Sequence, residues 1–202
     1  IDTSEYNWKV DMSKDYWIYG EGFNGARGTG FLQDQKGARL LYTPLDKEYG
    51  DMKVELYVDP TKMAGQGFGS ATGQYMDVYI KFDTKTLTGY ALRIIRTTKF
   101  SNAVDFLLMK YEHGKAIPIT DPISSICYRT GCSIRLEVEK DVLSAHVETE
   151  TPLPPIRSAE LTSKVDLDVR IDPNGFGGTG VQHTGSCGES TTMLHALKVE
   201  WK

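Results

Sequence analysis

Seven side chains, spaced as strands would space them, carry the chemistry that this sequence offers: Tyr57, Tyr75, Asp77, Tyr79, Lys81, Arg93 and Arg135. Tyr75, Asp77, Tyr79 and Lys81 alternate with Met76, Val78, Ile80 and Phe82, so an extended chain turns the first four outward and the apolar four inward. Glu55 and Tyr57 alternate in the same way with Val54, Leu56 and Val58, and Arg135 with Ile134 and Leu136. The outward sets combine amphipathic rings with groups that donate or accept several hydrogen bonds. A ligand with an apolar C–H face and a rim of hydroxyls, which is what a sugar presents, needs flat aromatic platforms beside such planar polar groups. The seven are therefore expected to line one ligand groove. An unspecialised exposed sheet face is the competing reading, because aromatic residues favour strands wherever they occur.

Other reactive types are poorly placed. The four histidines, His113, His146, His183 and His195, form no His-x-His or His-x3-His pair, which argues against a histidine metal site. Cys127 and Cys132 flank a turn between two strand-like runs and could bond across it, with reduced buried thiols as the next reading; a bond from Cys187 to either one is an equally legal pairing. Residues 65–69 and 175–180 are glycine-rich, but each lies between strands instead of opening a helix, so phosphate cradling is not expected.

The elements that must position these side chains are strands. No window of a dozen residues keeps apolar positions at helical spacing, whereas alternating runs occur at 52–58, 75–82, 133–139, 142–148, 165–171 and 193–201. Two more, 89–96 and 103–111, are apolar on both faces, as central strands are. Lys140 and Asp141 form the shortest hairpin connection. Tyr90 shares a face with Leu92 and Ile94 and Trp201 with Leu197 and Val199, so both are expected in the core; Trp8 and Trp17 are either core or loop platforms. Turns of Gly, Asp and Asn without helical crossovers predict an all-β, antiparallel β-sandwich or barrel with few or no helices. The chain, 202 residues long, is read as one domain, 1–202, with the proline-rich stretch 151–155 as a crossing loop. A net charge of −4 disfavours nucleic acid, and no stretch approaches the ~18 apolar residues of a membrane span. The chain opens at Ile1 without a charged-then-apolar leader and reads as a mature product or a module of a longer protein.

The order of features resembles the concanavalin A-like lectin/glucanase superfamily, whose fold is a jelly roll of two curved sheets. The resemblance is carried by 38–44 followed by 51–60, by 65–69 followed by 75–83 and 89–96, by the hairpin 133–148, and by 177–183 followed by 193–201. It implies a secreted, extracellular or periplasmic, carbohydrate-binding module with an oligo- or polysaccharide as partner, joined to a catalytic domain elsewhere in a longer chain. Two alternatives accompany it: a glycoside hydrolase or polysaccharide lyase working in the same groove, and a structural module that packs on an enzyme domain. Glucanases of the superfamily carry alternating acids on one strand; Glu137, Glu139 and Asp141 approximate that pattern, but Asp141 falls in the turn and the middle residue is not Asp. The lyase branch implies Gln and His one residue apart, whereas Gln182 and His183 are adjacent and point to opposite faces. No cofactor is implied beyond one structural calcium, for which Asp172 and Asn174 resemble half a loop and for which a plain Asn-Gly turn is the alternative.

Overall fold

The computed structural model describes residues 8–10, 16–19, 26–29, 38–42, 48–59, 73, 75–96, 104–125, 132–149, 162–183 and 191–201. Among them are fifteen strands: β1 (Trp8–Val10), β2 (Tyr16–Tyr19), β3 (Ala26–Thr29), β4 (Ala38–Tyr42), β5 (Met52–Asp59), β6 (Tyr75–Asp83), β7 (Thr88–Arg96), β8 (Val104–Glu112), β9 (Lys115–Pro118), β10 (Ile123–Ser125), β11 (Cys132–Glu139), β12 (Val142–Thr149), β13 (Lys164–Arg170), β14 (Gly178–His183) and β15 (Thr191–Trp201). No helix occurs among the described residues, and so none is long and apolar enough to cross a membrane. The stretches 65–69 and 151–155, and Cys127 and Cys187, lie outside the described residues.

The strands form two antiparallel sheets. The eight-stranded sheet runs β1-β4-β14-β6-β7-β8-β10, with β9 paired to β8, and the seven-stranded sheet runs β13-β12-β11-β5-β15-β3-β2. The expected β-sandwich is therefore present, with the closing strands returned to the early ones: β14 lies between β4 and β6, and β15 beside β5. Between the sheets sits the main core. Met76, Val78, Ile80, Tyr90, Leu92, Ile94 and Phe106 face Met52, Val54, Leu56, Ile134, Leu136 and Leu143, all buried. Fully burying a side chain of this size contributes about 1.5–3 kcal/mol. Cys132 belongs to this core as a buried free thiol. Tyr90 is core as well, its hydroxyl donating to the Asp172 carbonyl at 2.9 Å, and Trp201 packs against the core's edge.

Strand β5 follows its alternation: Met52, Val54 and Leu56 are buried while Lys53, Glu55 and Tyr57 are partly exposed. Strand β6 does not, because every residue from Met76 to Phe82 is buried. The cause is a second apolar cluster on the outer face of the eight-stranded sheet, made of Leu41, Tyr79, Phe82, Ala91, Leu107, Met109 and Tyr111.

An irregularity in β6 brings Phe82 into that cluster. The register with β7 shifts between Ile80 and Asp83, and Lys81 sits there at φ 49°. Such a bulge inserts one residue out of phase. The alternation predicts Phe82 inward; instead it stacks on Tyr79 with ring centroids 4.2 Å apart. Lys81, predicted to face the groove, is 98% removed from solvent, at 2% relative exposure. Its Nζ donates to the carbonyls of Tyr49 (2.6 Å) and Gly50 (2.7 Å), just ahead of β5 in the other sheet. Burial lowers the pKa of this ammonium, and Asp51 opposes that shift.

The strand opposite accommodates the bulge with a glycine. Gly89 has φ +146°, and a Cβ there would lie 2.4 Å from the Lys81 carbonyl oxygen and 2.8 Å from Phe82 Cα. Gly114, at φ +83°, would bring its Cβ no closer than 3.6 Å to Leu87. Gly89→Ala is therefore expected to destabilise by about 3 kcal/mol or more and Gly114→Ala by only about 1 kcal/mol. Urea unfolding of both variants checks this ranking, and equal costs would remove the bulge's claim on Gly89.

Candidate functional site

Cross-strand register brings one polar group together on the outer face of the eight-stranded sheet. Asp77 on β6 lies between Arg93 on β7 and Gln182 on β14, while Tyr79 lies between Ala91 and Gly180. Small neighbours on both sides leave the Tyr79 ring room to lie over the sheet. It is bounded by Phe82 and, edge-on at 5.3 Å, by Tyr111 of β8.

Arg93 is the hub. Its Nε and one terminal nitrogen donate to the two Asp77 oxygens, each at 2.8 Å, the fork-to-fork geometry that makes such pairs strong. Its guanidinium carbon lies 3.8 Å from the centroid of the Tyr75 ring, a cation–π contact. The Tyr111 hydroxyl donates to Asp77 and lies 3.1 Å from Arg93. Tyr79 donates to Gln182 Oε1 at 2.7 Å. On the backbone side, the Thr179 hydroxyl donates to the Tyr79 carbonyl at 2.7 Å, beside the second register shift, between Gly178 and Gly180.

Burial sets the electrostatics. The Asp77 side chain has no exposure and that of Arg93 has 13%. For Arg93, burial alone would lower the pKa, but the hydrogen-bonded Asp77 carboxylate outweighs it and the net shift is upward. The Tyr111 phenol is pushed well above its ordinary value by burial and then by the Asp77 charge, with Arg93 opposing. Tyr111 is thus a fixed neutral donor at ordinary pH and not a base in waiting.

Of the seven residues expected in one groove, the structure brings four together: Tyr75, Asp77, Tyr79 and Arg93. Asp77 and Tyr79, expected to be exposed, are buried at 0% and 2%, which leaves Tyr75, Gln182 and the edge of Arg93 as the accessible part. Lys81 is withdrawn by the bulge. Tyr57 and Arg135 lie on the seven-stranded sheet, and so on the opposite side of the sandwich. There they line an open groove of about 600 Å³ with Glu55, Ser133, His146 and Glu148. Alternation fixes which face of its own sheet a residue takes but not which sheet it joins, and that is the reason for the division.

Tyr111 is the participant that sequence reasoning missed. Its strand reads as apolar on both faces, and only pairing with β7 shows that Tyr111, Met109 and Leu107 share the Arg93 side. Gln182 enters the network through Tyr79. His183 occupies the next register position on β14, opposite Met76. The acids Glu137 and Asp141 do not form a catalytic pair in a cleft: Glu137 pairs in register with Lys53 and Ser144, and Asp141 binds Arg170 at 3.1 Å. Asn174 donates to the Lys81 carbonyl and accepts from Phe176 N–H, and Lys110 stands 3.7 Å from Asp172. These are the contacts of an Asn-containing turn, in which the Asn174 amide is hydrogen-bonded on both its nitrogen and its oxygen. Among the described residues no group of three or more His, Cys, Asp or Glu is placed to hold a metal ion.

The two-sheet sandwich has the jelly-roll fold shared by the solved structures on which it superposes. The carbohydrate binding module CBM66 from Bacillus subtilis superposes with a TM-score of 0.58 at 14% identity, over 96% of each chain. The CBM2 module of evolved Dit from Lactobacillus casei BL23 phage J-1 does so with a TM-score of 0.61 at 10% identity, over 99% of this chain and 92% of that one. The alginate lyase from Klebsiella pneumoniae gives 0.53 at 13% identity, over 93% and 85%. Identities this low establish the fold. No family profile and no curated protein sequence matches the chain.

Two outcomes follow from the geometry. Arg93→Met leaves the Asp77 carboxylate buried without its partner and is expected to cost about 3–5 kcal/mol in chemical denaturation; a loss below about 1 kcal/mol would show that the pair is dispensable to the fold. A phenol whose pKa is higher in the fold than in the unfolded chain holds its proton more tightly in the native state. The stability it contributes is complete below the ordinary tyrosine value of 10.0 and is lost as pH climbs through the raised one. In a spectrophotometric titration, the absorbance difference between the wild type and Tyr111→Phe should therefore appear only above pH 10; ionisation of Tyr111 at or below that value would contradict the burial.

Proposed function

We propose that this chain is a carbohydrate-binding module, and that its ligand meets the eight-stranded sheet at Tyr75, Arg93 and Gln182. The observation that carries the reading is the Arg93 guanidinium, held flat by Asp77 and faced by the Tyr75 ring at 3.8 Å. A sugar ring stacking on a tyrosine needs donors and acceptors fixed beside that ring, and fixed groups bind without paying to be ordered. Asp77, Tyr111 and Tyr79 supply the fixing. The jelly-roll neighbours named as carbohydrate binding modules support the ligand class.

The same geometry favours a neutral glycan. A basic patch of Lys81, Arg93 and Arg135 would suit an anionic one, but Lys81 is buried on carbonyls, Arg93 is neutralised by Asp77, and Arg135 is on the other sheet. We further propose that the chain works outside the cytoplasm, as one module of a glycan-processing protein with a separate catalytic domain. A polysaccharide lyase is the second reading, favoured by the convergence of Tyr79, Gln182 and Arg93 and by the alginate lyase among the structural neighbours. Against it stands the burial of Tyr79, at 2% exposure, with its hydroxyl already donating to Gln182.

Glycan-array binding followed by calorimetry should find a neutral oligosaccharide whose affinity falls about tenfold or more, roughly 1.4 kcal/mol, in Tyr75→Ala and in Gln182→Ala. Both changes spare the Asp77–Arg93 pair, and thermal melts of each variant separate a loss of binding from a loss of fold. An array without hits overturns the reading and leaves the packing-module role, whereas hits unmoved by both changes overturn this site. New unsaturated-uronate absorbance on incubation with alginate would instead establish the lyase.

A further inference from the structure

We infer that the groove on the seven-stranded sheet is a second, independent ligand site that takes a neutral saccharide. Its floor is a row of four residues in direct register across four strands: Glu55 on β5, Arg135 on β11, His146 on β12 and Asp166 on β13. The adjacent row contains Tyr57, Ser133, Glu148 and Lys164. Neighbouring strands stand about 4.8 Å apart, so the floor is roughly 14 Å wide. The volume of about 600 Å³ falls within the range of small-ligand sites.

The side chains in the groove differ in how far they are already committed. His146 is bonded to Asp166, and Lys164 to Glu148 at 3.1 Å. Arg135 is exposed and makes no ion pair or hydrogen bond among the described residues, although it lies between Glu55 and His146. An uncommitted guanidinium offers a planar fork of donors. Beside it are the oxygens of Glu55 as acceptors and Tyr57 as the ring.

Charge selects the ligand class. The carboxylates of Glu55, Glu148 and Asp166 are as many as the basic side chains Arg135, Lys164 and His146 together, so the groove carries no positive excess for a sulfate, phosphate or uronate chain. The charged rim equally excludes an apolar ligand. Vicinal hydroxyls bridged between the Arg135 fork and a carboxylate, with the C–H face of the same ring on Tyr57, use every group present.

The saccharide class is shared with the reading of the eight-stranded sheet, but the residues are not, and the test separates the two. Labelled protein is titrated by NMR with neutral gluco-, xylo-, manno- and fructo-hexasaccharides and with an oligogalacturonide. Expected are shifts of β5, β11 and β12 amides with at least one neutral hexasaccharide. Affinity for these shifts should fall about tenfold in Tyr57→Ala and in Arg135→Ala and stay unchanged in Tyr75→Ala. Thermal melts confirm that the exposed substitutions leave the fold intact. Absence of such shifts with every neutral probe, shifts with the oligogalacturonide alone, or shifts that depend on protein concentration without any sugar would each overturn the proposal. Shifts confined to these strands, with none around Tyr75, would uphold it while removing the other site.

Discussion

The two sheets are tied together by one buried cation. Lys81 leaves β6, the central strand of one sheet, near that strand's C-terminal end, and its ammonium ends on two consecutive carbonyls that lead into β5, the central strand of the other. A buried charge is costly unless every proton finds an acceptor, so this contact fixes where residues 49–50 lie relative to β6. It also fixes the bulge. With Lys81 at positive φ, the alternation of β6 resets, Phe82 changes face, and Gly89 must lack a side chain.

The polar network depends on that reset. Without it Phe82 would fill the main core, and Tyr79 would lose the ring that stacks on it. With it, Phe82 joins Ala91 and Met109 in an apolar cluster on the same outer face as the buried Asp77–Arg93 pair. Ion pairs in such surroundings add little net stability but tolerate no missing partner. What they provide is orientation: a guanidinium, three phenols and an amide held at set distances on one side of a sheet. The groove on the other sheet has the opposite character. Its polar residues are exposed or partly exposed, its pairs are solvated, and one arginine is uncommitted among the described residues.

Much of this was legible in the sequence, for a local reason. Periods of two at Met52 to Val58, Ser133 to Glu139 and Val142 to Glu148 reflect one buried face per strand, and those strands appear at the expected places. The hairpin at Lys140 and Asp141, the core position of Tyr90 and the shared face of Tyr75, Asp77 and Tyr79 follow from the same pattern, while Trp201 is only partly buried at the core's edge. Where both faces of a strand are covered, as in β8, the pattern vanishes, and Tyr111 could not be assigned.

The sequence by itself determined the class of fold, the strands and the residue types available for binding, because alternation between water and core acts over neighbouring residues. Only the tertiary structure decided which strands became partners, and hence that Tyr57 and Arg135 stand on the far side of the sandwich from Tyr75 and Arg93. It likewise decided that Lys81 turns away from the ligand face, since the carbonyls that capture it lie thirty-one and thirty-two residues earlier in the chain. Contacts at that separation depend on how the whole chain packs, and no local period encodes them.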